Sequence, residues 1–219
     1  MFGLVALVIT MNVLAVDAGD LSSGADQLQD FEAGSRAGML FAGLAGAIAI
    51  TAELRYGTIR PTFLVSPRRG AVLAAKLVVG VLVGLAFGLI AEGLMTGDAS
   101  VALAVRGIDN QLGGGDYLQL FSGGAAAAAL WAAAGVGMGA LVRNQVGALV
   151  GLCAWMLLVE STSESFVPGF GRFLPGGAGT ALAGNNDKLP AALAALLLLL
   201  YAAAVATAGM RAILRRDIA

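Results

Sequence analysis

The sequence predicts an all-α membrane protein with six transmembrane helices and a short amphipathic cytoplasmic helix between the second and third. Three observations predict it. Apolar residues make up 58% of the chain and charged residues only 12%, with a mean hydropathy of +0.86, too little charge to clothe a soluble domain of this size. The apolar residues are gathered into blocks of roughly 15 to 24, close to the number needed to cross a bilayer core at about 1.5 Å per residue. Lys and Arg gather on alternate connections between the blocks, the asymmetry expected of a multi-pass chain.

Taken in order, residues 2–16 form the first block. It lacks a basic leader and a small-residue cleavage site, so it is read as a span rather than a cleaved signal peptide. The following spans are predicted at 38–52, 71–95, 118–142, 146–159 and 189–210. The first, second and fifth are short for a perpendicular crossing, a length that local thinning or a re-entrant path accommodates. The polar stretches 17–37, 96–117 and 160–188 are too short for a second folded domain, so residues 1–219 are read as one membrane domain. The last of them contains Phe166, Val167, Pro168, Phe170, Phe173, Leu174 and Pro175. It is read either as a segment dipping into the bilayer edge or as a Gly-rich connector with interfacial aromatics.

Orientation follows from the basic residues, which stay on the cytoplasmic side. Arg55, Arg60, Arg68, Arg69, Lys76, Arg143, Arg211, Arg215 and Arg216 fall on one side of the predicted spans. Arg36, Arg106, Arg172 and Lys188 fall on the other, among acidic residues that include Asp26, Asp30, Asp98, Asp109 and Asp116. The expected location is therefore the cell membrane, with both termini cytoplasmic.

Inventory excludes several function classes. The chain has no histidine, which removes imidazole catalysis, His-based metal sites and Ser-His triads, and its single Cys153 excludes an internal disulfide or a cysteine metal cluster. A formal net charge of −1 gives no reason to expect nucleic acid. The only lysines, Lys76 and Lys188, follow no phosphate-cradling Gly-rich stretch, so the chain carries no P-loop ATPase motif.

Glycine, at 32 residues, is placed in patterns. Gly80, Gly84 and Gly88 recur every four residues in the third predicted span. Gly135 with Gly139, and Gly147 with Gly151, repeat that spacing in the fourth and fifth. Small faces let helices approach closely in lipid and mark helix packing, either within the chain or between subunits. Glu92 and Glu160, near the outer ends of spans three and five, are read as snorkelling to water, with binding of a cationic substrate as the alternative. Trp131, Trp155 and Met156 are read as packing residues, with a substrate path as the alternative.

The most informative stretch runs from Glu53 to Lys76. It contains Arg55, Tyr56, Gly57, Thr58, Ile59, Arg60, Pro61, Phe63, Leu64, Val65, Ser66, Pro67, Arg68 and Arg69. Arginines at roughly 2.5–3.5 kcal/mol each are not accommodated in lipid, so the segment is placed at the cytoplasmic surface. Ile59, Phe63, Leu64 and Val65 give it an apolar side, Pro61 suits the first turn of a short helix and Ser66-Pro67 ends it. From the residues alone, such a helix either fixes topology against anionic lipid or docks a soluble partner.

The order of residues resembles the ABC-2 type permease family. That family carries a Glu, three residues, Gly-Thr, then a Pro-Arg or Pro-Ser turn and a Lys entering the next span. Glu53, Gly57, Thr58, Ser66, Pro67, Arg68, Arg69, Ala75 and Lys76 match it here. The resemblance extends over six spans, an Arg143-Asn144 step and a closing Arg215-Arg216-Asp217. Family members open with an amphipathic helix before the first span, whereas this sequence opens inside apolar residues, so nothing is carried over for that helix. The resemblance implies a permease subunit of an ATP-driven exporter that pairs with a second permease subunit, as homodimer or heterodimer. A separate ABC ATPase would bind ATP and Mg, and this chain would hold no cofactor and catalyse nothing itself. The coupling helix would comprise Arg55, Tyr56, Gly57, Thr58, Ile59, Arg60, Phe63, Pro67, Arg68 and Arg69. Glu53 would anchor the turn, either by accepting hydrogen bonds or by pairing with Arg55 or Arg60.

Three rival classes stand beside this one, of which an intramembrane enzyme needs a buried nucleophile, base or metal site that the predicted spans do not show. A gradient-driven secondary transporter needs ionisable residues near the midplane, of which the predicted spans contain almost none. A non-transporting scaffold or immunity protein needs only a partner surface.

Overall fold

The computed structural model describes residue 27 and residues 33–56, 69–184 and 189–215. The predicted first span, 2–16, lies outside the described residues. Among the described residues every regular element is helical: α1 (Ala33–Tyr56), α2 (Arg69–Arg106), α3 (Gly114–Val142), α4 (Gln145–Ala154), a π-helical turn (Trp155–Val159), α5 (Glu160–Phe166), a 3-10 turn (Gly171–Phe173), α6 (Pro175–Ala183) and α7 (Ala191–Arg215). Among the described residues, five helical stretches are long and apolar enough to cross a membrane: Gly34–Tyr56, Gly70–Arg106, Gly114–Val142, Gln145–Ser163 and Ala191–Leu214. The protein is an all-α, multi-pass membrane protein.

α3 is the hub. In its most apolar window 67% of the helix is buried, against 22% for α2 and α7 and 11% for the Gln145–Ser163 stretch. The reason is its Ala- and Gly-rich sequence, whose small side chains let several neighbours reach the backbone. At about 100° per residue, successive glycines face different partners. Gly123 meets Leu182 and Ala183 of α6, Gly124 meets Glu92 of α2, Gly135 meets Gly43 of α1, Gly137 meets Val205 and Ala206 of α7, and Gly139 returns to Ala47 and Ile50 of α1. Larger side chains fill the remaining space. Met39, Trp131, Leu152, Met156 and Leu198 form one buried cluster, and Ile50, Leu73, Val136 and Ile213 another. Val78, Val79, Leu82, Leu89 and Ile90 of α2 stay exposed, as a lipid-facing surface does.

Several boundaries differ from those the sequence predicts. The span expected at 71–95 continues to Arg106, 38 residues in all, because no proline interrupts it and Ala99 and Leu103 pack on Leu120. Ser100 also donates to the Thr96 carbonyl (2.6 Å). The span expected at 146–159 stays helical through Phe166, its register shifted by a π turn in which the Glu160 N–H bonds the Trp155 carbonyl. Ser161 and Thr162 return their hydroxyls to Leu157 O and Leu158 O, which satisfies polar groups that would otherwise argue for a loop. The stretch 160–188 is not a plain connector. Within it Pro175 opens α6, whose Ala178, Thr180, Ala181 and Ala183 are buried against α3 and α7.

Candidate functional site

The site singled out by the sequence begins where α1 ends. Three residues before that end Glu53 forms an ion pair with Lys76, seven residues into α2. Among the described residues the partner is Lys76 rather than Arg55. Arg55 instead lies over the Tyr56 ring at 5.7 Å and reaches Gln145 Oε1 of α4 at 3.5 Å, while Arg60 lies outside the described residues. Glu53 and Lys76 side chains are 31% and 20% exposed. Both lie at one end of a groove of about 440 Å³ between α1 and α2, walled by Gly46, Ala49, Val79 and Val83. Of the predicted coupling residues, Gly57, Thr58, Ile59, Arg60, Phe63, Pro67 and Arg68 lie outside the described residues, and Arg69 opens α2.

The Arg143-Asn144 step belongs to the same end. Arg143 closes α3 in the left-handed region, with φ of 57° and its N–H bonded to Gly139 O, and its Nη2 donates to Ala212 O of α7 (3.1 Å). Asn144 caps α4 by accepting from Gly147 N (3.1 Å). The contacts of Lys76 with Glu53, Arg55 with Gln145 and Arg143 with Ala212 thus gather basic residues from α1, α2, α3 and their neighbours at one end of the bundle.

At the other end the two carboxylates read as snorkelling turn inward. Glu92 is 0% exposed, accepts from the Ser35 hydroxyl of α1 and lies against Gly124 of α3. A Cβ at position 124 would overlap its carboxylate, so the glycine makes the room that lets it stay inside. Glu160 accepts from Gly176 N (2.8 Å) and from Trp155 Nε1 (2.9 Å). It caps α6, where a carboxylate meets the unpaired N–H groups and positive end of the helix. Ser35 was not legible as a partner, since nothing in the sequence ties a residue before the second span to one late in the third. Gln27 likewise bridges distant chain, donating to Asp109 O (3.0 Å) and accepting from Gln111 N (2.9 Å).

The glycine faces resolve individually. Gly84 and Gly88 press on Ala128, Ala129 and Ala125 of α3, and Gly80 faces the Val136 side chain. Gly135 and Gly139 press on α1. Gly151 differs from the packing role expected of it: a Cβ there meets nothing within 4 Å, and it lines an apolar crevice with Trp131 and Trp155, whereas Met156 is buried in the core.

No family model, curated protein or solved structure matches this chain.

Proposed function

We propose that this chain is the membrane-spanning subunit of an ATP-driven exporter of the ABC-2 kind, paired with a second permease subunit and driven by a separate ATPase docked at residues 53–69. The observation that carries the reading is the Glu53–Lys76 ion pair. It joins the first and last charged residues of the segment on which the resemblance rests, and so ties together the two helices that flank residues 57–68. A force applied to that segment would reach α1 and α2 as a unit, and both pack on the central α3. The basic residues gathered at that end support reading it as the cytoplasmic one under the positive-inside rule.

The test has two arms. Tagged protein extracted with native lipid should bring down an ATPase subunit. Glu53→Lys or Lys76→Glu should each uncouple ATP hydrolysis from transport, and the double exchange should restore coupling. Normal ATP-driven transport with residues 57–68 scrambled would sink the proposal.

One observation favours a second reading, a gradient-driven transporter: the fully buried Glu92 within a candidate span. It is separated by transport in sealed vesicles under a proton gradient without ATP, which this reading requires, together with its loss on Glu92→Gln.

A further inference from the structure

Between α3, α4 and α7 a crevice of about 270 Å³ opens on the bundle surface, walled by Leu130, Trp131, Gly151, Trp155, Tyr201 and Val205. It follows α3 from Leu130 to Met138, about 12 Å along the helix axis. The space open to the centre of a water molecule thus averages about 22 Å² in section, and adding a water radius of about 1.4 Å on each side gives a slot about 8 Å wide, room for a hydrocarbon chain and narrower than a helix of about 10–12 Å with its side chains. On the helical stretches that wall it, Val150, Leu157 and Leu199 are more than half exposed, the apolar surface expected of segments that face hydrocarbon.

The wall offers an occupant no unspent donor. Trp131 Nε1 donates to Pro175 O (3.4 Å), Trp155 Nε1 to Glu160 Oε1 (2.9 Å) and the Tyr201 hydroxyl to Phe173 O (3.2 Å). A polar solute would lose its hydration there and gain little, whereas a hydrocarbon chain loses nothing. The rim is different in character. It is the turn from Gly171 to Pro175, tied to the wall by the Trp131 and Tyr201 bonds, and it carries the exposed Arg172. The Arg172 guanidinium lies 4.8 Å over the Phe173 ring and makes no ion pair among the described residues.

We propose that this crevice holds one acyl chain of an anionic phospholipid whose phosphate rests on Arg172. The apolar wall selects the chain, the width of the slot suits an acyl chain better than a helix, and the cation at the rim selects the headgroup. The site goes beyond the exporter reading and needs only the membrane bundle.

The chain's two tryptophans both line the crevice, which supplies the assay. Trp155→Phe leaves Trp131, only 4% exposed, as the sole indole. This protein is reconstituted in phosphatidylcholine vesicles doped with phosphatidylglycerol or phosphatidylcholine brominated on the acyl chains, and Trp131 quenching is read. Brominated phosphatidylglycerol should quench at lower mole fraction, by about fivefold for one basic residue near the surface. Arg172→Gln should remove that difference. Gly151→Phe, filling open space, should suppress quenching by both lipids, and Gly151→Leu, a smaller filling, should do so in part. Equal quenching by the two lipids overturns the proposal. So does quenching indifferent to both Gly151 variants, or no quenching, which would mean that protein occupies the crevice.

Discussion

Replacing Gly88 by alanine adds one methyl group where α2 meets α3. The new Cβ would lie 2.6 Å from Ala125 Cα and 3.0 Å from Gly124 O. Carbon atoms pack best at about 3.5–4.0 Å, so the helices must part by about 1 Å, and backbone, unlike a side chain, cannot rotate away. A gap of that size forfeits about a quarter to a half of the dispersion energy of each affected contact. With the strain of overpacking, the expected loss is about 1–3 kcal/mol. Gly84→Ala should behave alike, since its Cβ would lie 2.7 Å from Ala128 O and 2.8 Å from Ala129 Cα. Gly80→Ala should cost less, because its nearest neighbour, at 3.1 Å, is the movable Cγ2 of Val136. Gly97→Ala, with nothing within 4 Å, should be neutral or gain up to about 1 kcal/mol from helix propensity. Reversible unfolding in mixed micelles, followed by tryptophan fluorescence, ranks the four. The Gly84/Gly88 double variant should lose less than the sum, since one separation of the helices relieves both. If Gly88→Ala matched the parent while Gly97→Ala unfolded early, the inferred packing of α2 on α3 would be wrong.

Three further outcomes are expected. Glu92→Gln should keep an acceptor for the Ser35 hydroxyl and unfold near the parent, whereas Glu92→Ala should lose about 1–3 kcal/mol, part of it shared with Ser35→Ala in a double-mutant cycle. Both Arg143 variants should lose the bond to Ala212 O, but Arg143→Gly should be about 1 kcal/mol more stable than Arg143→Ala because glycine adopts the φ of 57° without strain. Glu160→Ala should release the N-terminus of α6, seen as faster hydrogen exchange at Gly176 to Ala183 with little change in the centre of α3.

The class of the protein was written in its composition. Spans need nothing from tertiary structure to be recognised, because lipid imposes length and apolarity on each helix separately. The spacing of glycines likewise marked Gly84 and Gly88 as a close-packing face. Polar residues misled it wherever the fold satisfied them internally. Asp98, Ser100 and Arg106 read as loop yet extend α2, and Ser161 and Thr162 read as a span end yet bond back to their own helix. Glu92 and Glu160 read as seeking water because a lone carboxylate in a span would. What decided otherwise was a hydroxyl from α1 and the N-terminus of α6, groups 57 and 16 residues away in the chain. Periodicity assigns a residue to a face of its own helix, but only the assembled bundle determines which neighbour that face meets. For the same reason the choice of Lys76 for Glu53, and the opening of Gly151 onto a crevice rather than a helix, belonged to tertiary structure alone.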